Sequence, residues 1–395
     1  MKILIISHMY PSSAIEINGV FVHEQVRELI NEGHEVKVVS PVPYVPVFFN
    51  TISSKWSRYE TVPYQDKIDN VEIYYPKYIA YPKSLRFHLS GERMFKGIKS
   101  LIKEIYGEFK FDLIHAHTAL PDGSAAMQIA KIYNVPLITT IHGLDFEHTV
   151  HRGSKFHSKI EQVLMYSNKI ILVSNKLLSI KRKYFPDIQE GKFQVIHNGV
   201  SDLFLNNFQD NSGSNQKEIV ILSASTLIPR KGINYNILAM KELLNYYPYL
   251  KYKIIGEGSQ RTELEQKVKE LGMEKNIFFL GNKTREEMVK NFDTCDIFVL
   301  PSWKEAFGVV YIEAMSRGKA VVGCKGEGVE EIITDGVEGL LVSPQNTKDL
   351  VEKIKYLVDN PQLRLEMGKN GRFRVVKEFT WKKVARELGQ VYQNS

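Results

Sequence analysis

Cysteine is nearly absent: Cys295 and Cys324 are the only two among 395 residues. Two such thiols supply neither a disulfide framework nor a thiolate metal site, and a reducing cytoplasm is the expected setting. No run approaches the roughly 20 apolar residues that span a bilayer. The opening Met1-Lys2-Ile3-Leu4-Ile5-Ile6-Ser7 is too short for a signal peptide and has no cleavage site, so it reads as a buried first strand. There is no HExxH, no Asp-x-Asp that would hold a nucleotide-bound metal, and no nucleic-acid-binding motif. Neither a resident metal or other cofactor nor a nucleic-acid partner is expected.

Charge of one sign is also scarce, with a net of +7. What excess there is sits early: the first 200 residues hold 24 Lys and Arg against 19 Asp and Glu. Lys83 to Lys110 mixes cations with apolar residues at helical spacing. That pattern suits a peripheral helix on an anionic membrane face, or a solvated face over a core stripe, which is the plainer reading.

With 43% hydrophobic and 25% charged residues, the chain is an ordinary globular one, long enough for two cores. Short apolar runs alternate with helical patterns. In the first half, strands are expected at Lys2–Ser7, Glu35–Ser40, Val71–Tyr75, Leu113–His115, Leu137–Ile141, Lys169–Val173 and Phe193–Ile196, with helices such as Phe21–Glu32 and Ser124–Tyr133. A polar stretch from Asn206 to Gln216 reads as a linker. The alternation then restarts, with strands at Glu218–Ala224, Tyr252–Ile255, Ile277–Phe279, Ile297–Leu300, Ala320–Val322 and Gly339–Val342. Helices are expected at Tyr235–Asn245, Arg261–Leu271, Arg285–Phe292, Val309–Arg317, Thr347–Asp359 and Pro361–Phe379. The fold class is α/β, with two Rossmann-like domains whose parallel sheets are covered on both faces. Ligands of such sheets bind at the carboxyl ends of the strands, so two domains facing each other would form a cleft.

Three segments of the second half carry candidate chemistry. Ser225 to Gly232 runs from a strand into a helix and ends in Arg230-Lys231-Gly232, where N–H groups and cations suit a phosphate. Gly256 and Gly258 sit at the end of the next strand, where glycine allows a tight turn and close approach to a ligand, although the three-glycine dinucleotide fingerprint is missing. The third segment, Pro301 to Met315, places Glu305 at the mouth of the sheet and Glu313 on an apolar helix started by Gly308. A carboxylate among apolar neighbours needs hydrogen-bond partners, and paired ribose hydroxyls would provide them.

The run from Glu305 to Glu313, with Phe307-Gly308 inside it and Ala314-Met315 after it, resembles the signature of family 4 of the retaining GT-B glycosyltransferases. Further blocks follow in the family's order: Asn18-Gly19-Val20-Phe21-Val22, Glu32-Gly33-His34-Glu35-Val36, Phe111 to His117, Thr140 to Gly143, Val195 to Val200 and Asp335 to Val342. The resemblance covers nearly the whole chain. It implies a GT-B fold with an acceptor-binding domain at 1–200, a nucleotide-sugar-binding domain at 201–375 and a final helix at 376–395 crossing back to the first.

It also implies roles. Lys231 would stabilise the leaving diphosphate, Glu305 would contact the transferred sugar, and His117 would sit near the anomeric carbon. Donor binding would fall to Gly19, Arg230, Lys231, Gly256, Gly258, Phe307, Gly308, Val309 and Glu313. His142 and Asp145 are the acceptor-side candidates, though a surface-loop role for Asp145 is an equal alternative. All eleven histidines lie at or before His197, and His115 reads as structural. Departures from the family pattern are Thr226 where an arginine is usual, with Arg230 as the candidate replacement, Glu327 where a glycine is usual, and Ser201 where an aspartate is frequent.

The implied activity is retaining transfer of a sugar from a nucleotide diphosphate-sugar, UDP ahead of GDP, to the hydroxyl of a glycan or lipid-linked acceptor. The amino-terminal pattern is similar to enzymes of bacterial surface polysaccharide assembly, which would place the protein in the cytoplasm, at the inner membrane face. A sugar-nucleotide epimerase of the same fold, or a catalytically silent partner subunit motivated by Thr226, are the competing readings.

Overall fold

The structure, a computed structural model, describes residues 1–44, 58–81, 84–208 and 218–395. Lys83 and most of the expected linker from Asn206 to Gln216 lie outside the described residues. The chain divides into two units, Met1–His197 with Trp381–Ser395, and Asn198–Thr380.

The first unit is built on an eight-stranded sheet, in the order β10-β9-β8-β7-β1-β2-β5-β4. Its strands are β1 (Lys2–Ile6), β2 (Glu35–Val39), β4 (Gln65–Ile68), β5 (Val71–Tyr74), β7 (Leu113–Ala116), β8 (Leu137–Ile141), β9 (Lys169–Leu172) and β10 (Phe193–Val195). A separate two-residue pair joins β3 (Val42–Pro43) to β6 (Lys77–Tyr78). Side chains alternate across β1, so Ile3 and Ile5 enter one core while Leu4 and Ile6 enter the other. Helices Val20–Asn31 and Trp381–Gln393 cover the first face, and Ser90–Glu108 covers the second. A strand buried on both faces is largely apolar, which is why these runs were legible.

Every expected strand is present, with ends displaced by at most two residues. Besides the short pair β3 and β6, the addition is β4, antiparallel to β5 at the sheet edge and joined to it by Asp69-Asn70, both at positive φ (47° and 65°). Its sequence, Gln-Asp-Lys-Ile, carries too little apolar patterning to announce a strand. In helix Ser90–Glu108, Met94, Ile98, Leu101, Ile102 and Ile105 are buried while Lys96, Lys99 and Lys103 are exposed, the core-stripe arrangement. Among the described residues no helix is long and apolar enough to cross a membrane.

The second unit is a six-stranded, all-parallel sheet ordered β13-β12-β11-β14-β15-β16. Its strands are β11 (Ile219–Ala224), β12 (Leu250–Ile255), β13 (Ile277–Gly281), β14 (Ile297–Val299), β15 (Ala320–Cys324) and β16 (Gly339–Val342). Successive connections run outward from β11 in one direction and from β14 in the other, so the order reverses between those two strands. In the first unit it reverses between β1 and β7. Such reversals open a crevice at the carboxyl ends of the two strands, where ligands of open α/β sheets bind.

Candidate active site

In the second unit, the two segments flanking the reversal meet. After β11 the chain turns through Ser225–Ile228 into a 3-10 turn, Pro229–Lys231, and then into helix Ile233–Leu243. After β14 it runs through Pro301–Gly308 into helix Val309–Ser316. Lys231 Nζ donates to Glu305 Oε2 at 2.5 Å, and Ser302 Oγ donates to the same oxygen at 3.1 Å. The two side chains are only 14% and 15% exposed. Burial by itself would raise the Glu305 carboxyl, but the Lys231 charge and hydrogen bond, with Arg230 and Ser302, hold it below the usual carboxylate range. Removing one partner of a buried pair costs more than the pair contributes, because a charge is stranded.

Arg230 turns elsewhere: its Nη1 donates to the carbonyl of Lys304 at 3.1 Å, and its own carbonyl accepts from the Trp303 N–H at 2.9 Å. The guanidinium thus ties the loop after β11 to the loop after β14, while Thr226 is exposed. Gly308 has φ of 100°, and a Cβ there would meet the Tyr311 ring at 2.6 Å, so only glycine can begin this helix. Phe307 is buried against Phe379, and Val309 and Glu313 lie on the half-exposed face of the helix. Glu327, one of the departures, accepts the Glu305 N–H at 2.8 Å and so anchors the first residue of the Glu305–Glu313 segment.

Gly256 and Gly258 face the chain itself. A Cβ at either would meet the carbonyl of Ser225 or Leu227, at 1.9 and 2.3 Å. These glycines let the β12 turn pack under the β11 turn, a requirement that exists with or without a ligand.

In the first unit, adjacent parallel strands β1, β7 and β8 each run into a histidine at or just beyond their carboxyl ends: His8, His117 and His142. His117 Nδ1 is 3.1 Å from His142 Nε2, and its Nε2 is 3.5 Å from the Gln25 amide. His117 also stacks on His115, whose two nitrogens pair with Tyr392 and Thr140, each at 2.7 Å. Burial drives both His115 and His142 down to about 3, and His117 well below its usual value. His115, His117 and His142 are therefore neutral at physiological pH.

Asp145 is not on a surface loop. It is 2% exposed and accepts the N–H groups of Ala119 and Leu120 at 2.9 and 3.2 Å. Burial pushes its carboxyl up to about 6 despite those bonds. Gly19 caps helix Val20–Asn31 at φ 66°, with its α-carbon close against the Met9 carbonyl.

The sequence reading missed His8 and Asp122. Asp122 is fully buried and accepts from the His8 backbone N–H at 3.1 Å, while its Oδ2 lies 2.9 Å from His8 Nδ1. A histidine one residue past a buried strand was the available signal for His8; nothing local marked Asp122, which lies 114 residues away. Among the described residues, no group of three His, Cys, Asp or Glu side chains is placed to hold a metal ion.

Comparison with known proteins matches both units. Residues 19–202 fit the family described as Glycosyltransferase Family 4, and residues 206–374 the family described as Glycosyl transferases group 1. An uncharacterized glycosyltransferase of Methanocaldococcus jannaschii is 31% identical, covering 76% of this chain and 82% of its own. A putative teichuronic acid biosynthesis glycosyltransferase of Bacillus subtilis is 25% identical, covering 94% of this chain and 96% of its own. Among solved structures, HepE of Anabaena, in complex with UDP and glucose, superposes with a TM-score of 0.75 at 18% identity, covering 100% of both chains.

Proposed function

Because this chain belongs to the group 1 glycosyl transferases (glycosyltransferase family 4) and has the GT-B fold, we propose that it moves a hexosyl unit from a nucleoside diphosphate sugar to an acceptor hydroxyl with retention at the anomeric carbon. The observation that carries this is the Lys231–Glu305 pair at the sheet reversal, beside the glycine-started helix. In the resting protein, Glu305 keeps the ammonium in place. An arriving diphosphate competes for Lys231, and the carboxylate is then available to sugar hydroxyls. The backbone N–H groups of Phe307, Gly308 and Val309 take further sugar oxygens, and Glu313 takes the ribose.

As the C1–O bond to the donor breaks, its electron pair leaves with the diphosphate. Lys231, already positioned, meets that growing charge, with Arg230 beside it. Preorganised charge of this kind is usually the largest single contribution to transfer chemistry. No carboxylate stands out in the sequence as a covalent nucleophile, so we assign acceptance of the acceptor proton to the leaving phosphate and expect same-face attack. The family resemblance assigns Gly19 to donor binding, and His117 and His142 to the sugar and acceptor side.

UDP is the favoured donor nucleotide, since HepE was crystallised with UDP and glucose. A role in surface polysaccharide assembly follows the Bacillus relative. The exposed cations of helix Ser90–Glu108, with the exposed Ile79, Tyr81 and Leu85 nearby in sequence, suit a lipid-linked acceptor at an anionic membrane face. Failure of anionic liposomes to sediment the protein at low salt would remove the membrane part.

The deciding experiment is a panel of UDP- and GDP-sugars, scored by thermal shift and nucleotide release with EDTA present, on wild type and Glu313→Ala. One donor should shift the melting temperature by several degrees and turn over slowly, and the variant should lose both. A folded protein that responds to no sugar nucleotide would favour the silent subunit. Conversion of the donor without loss of its nucleotide would favour the epimerase.

A further inference from the structure

The first unit's sheet reverses between β1 and β7, so the residues just past those two strands border the crevice. One of them, His8, has a different electrostatic setting from the histidines beside it. Its backbone N–H and its ring Nδ1 both address Asp122, at 3.1 and 2.9 Å. Asp122 is fully buried and is further held by Thr118 Oγ1 at 3.2 Å. The loop that carries Asp122 is fixed in turn by Asp145, through the N–H groups of Ala119 and Leu120. Two buried carboxylates thus brace one segment.

Of the His8–Asp122 pair, His8 reaches solvent, with 32% of its side chain exposed and none of that of Asp122. With Nδ1 engaged by Asp122, Nε2 is the nitrogen left for a ligand. A carboxylate that fixes the tautomer and orientation of an imidazole is the arrangement by which proteins aim a histidine.

We propose that His8, aimed by Asp122, is a further acceptor-side group of this transferase, its Nε2 accepting a hydrogen bond from the acceptor hydroxyl. The proposal rests on the transferase reading given above. His115, His117 and His142, the neutral row, lie at and just beyond the ends of β7 and β8, whereas His8 is the histidine whose charged form its surroundings favour. Burial alone would lower the His8 imidazole, but Asp122, with help from Asp145, brings it above its usual value. Asp122, Asp145 and His142 are the titratable groups that face it. Protonated His8 cannot accept a hydrogen bond at Nε2, so turnover should fall on the acid side of the His8 pKa.

The test uses the full chain and whichever nucleotide sugar the donor panel selects, with water as acceptor. Nucleoside diphosphate release and donor affinity by calorimetry are measured for wild type, His8→Phe and Asp122→Asn. For His8→Phe we expect release to fall 10- to 100-fold, with donor affinity within twofold of wild type. For Asp122→Asn the acid limb of the rate profile should move to lower pH, because the charge that raises His8 is gone. Thermal melts confirm that both variants fold. A loop staple alone would not move the pH profile. Full-rate release by His8→Phe, or an acid limb unmoved in Asp122→Asn, overturns the assignment of His8 while leaving the transferase reading intact. A wild type that binds no donor overturns both.

Discussion

The phenol of Tyr392, in the last helix of the chain, lies 2.7 Å from Nδ1 of His115 at the centre of the first unit's sheet. Both residues are buried, and the other His115 nitrogen is taken by Thr140. The carboxyl-terminal helix therefore completes the polar core under the histidine row, besides contributing Trp381, Val384, Leu388 and Val391 to the apolar core. Replacing Tyr392 by Phe should strand one buried ring nitrogen and cost about 1–3 kcal/mol, read as a lower urea midpoint with unchanged slope. A midpoint within experimental error of wild type would mean that His115 finds another partner.

Lys231 and Glu305 should behave as a unit. With Lys231→Met, the Glu305 carboxylate keeps its desolvation but loses its counter-charge, so the variant should be less stable at pH 7 and its deficit should shrink in acid. The sign follows from the direction of the shift. Glu305 in the folded wild type lies below its ordinary 4.5, so its contribution is present above that value and is lost as pH falls through the folded value. Donor affinity should fall about 10- to 150-fold, the equivalent of a lost charge-assisted hydrogen bond of about 1.5–3 kcal/mol. Chemical denaturation across pH 3–7 and calorimetry with the selected donor measure the two effects separately.

How much of this could be read in the sequence depends on range. Strands buried on both faces announce themselves as unbroken apolar runs, and Gly308 marks the start of its helix within a few residues of Glu305. Those features are local, and the fold and the glycine-started helix after Glu305 were legible for that reason. β4 was not, because an edge strand needs apolar residues on one side at most; the Asp69-Asn70 pair, suited to positive φ, was the overlooked hairpin signal. His8–Asp122 and Tyr392–His115 join residues 114 and 277 positions apart. No periodicity encodes such a pair; it exists only once the sheet brings the strand ends together. Gly256 and Gly258 show the converse, a motif read toward a ligand whose immediate cause is the packing of two turns.

Asp145 makes the protein's stability fall as pH rises through a defined window. Its carboxyl is pushed from an ordinary 3.8 up to about 6, so between those values the folded chain holds a proton that the unfolded chain has released. Stability from this group declines across that window and is level above it. An Asp145→Asn substitution removes the decline but keeps only one acceptor oxygen for two N–H groups. We therefore expect a variant less stable than wild type at pH 4, by about 1–3 kcal/mol, with the gap narrowing toward pH 7. Denaturation midpoints at half-unit pH steps would show the narrowing gap, and parallel curves for the two proteins would rule it out.

Gly19 offers the sharpest test of the amino-terminal loop. Its φ of 66° is the left-handed region, and a Cβ built there lies 2.2 Å from the Met9 carbonyl oxygen. Alanine at this position would carry about 1–2 kcal/mol of backbone strain and would have to push the loop away from Met9 and Tyr10. Because Val22 and Val26 anchor the following helix in the core, the displacement should fall on the loop and leave the sheet in place. Gly19→Ala should therefore stay folded, melt a few degrees lower and bind the donor at least tenfold more weakly. Binding of UDP alone separates two causes. If UDP and the full donor weaken together, the loop acts on the diphosphate, as its place in the family pattern implies. If the variant binds both as wild type does, the glycine is there for the turn against Met9, and the loop has no part in holding the donor.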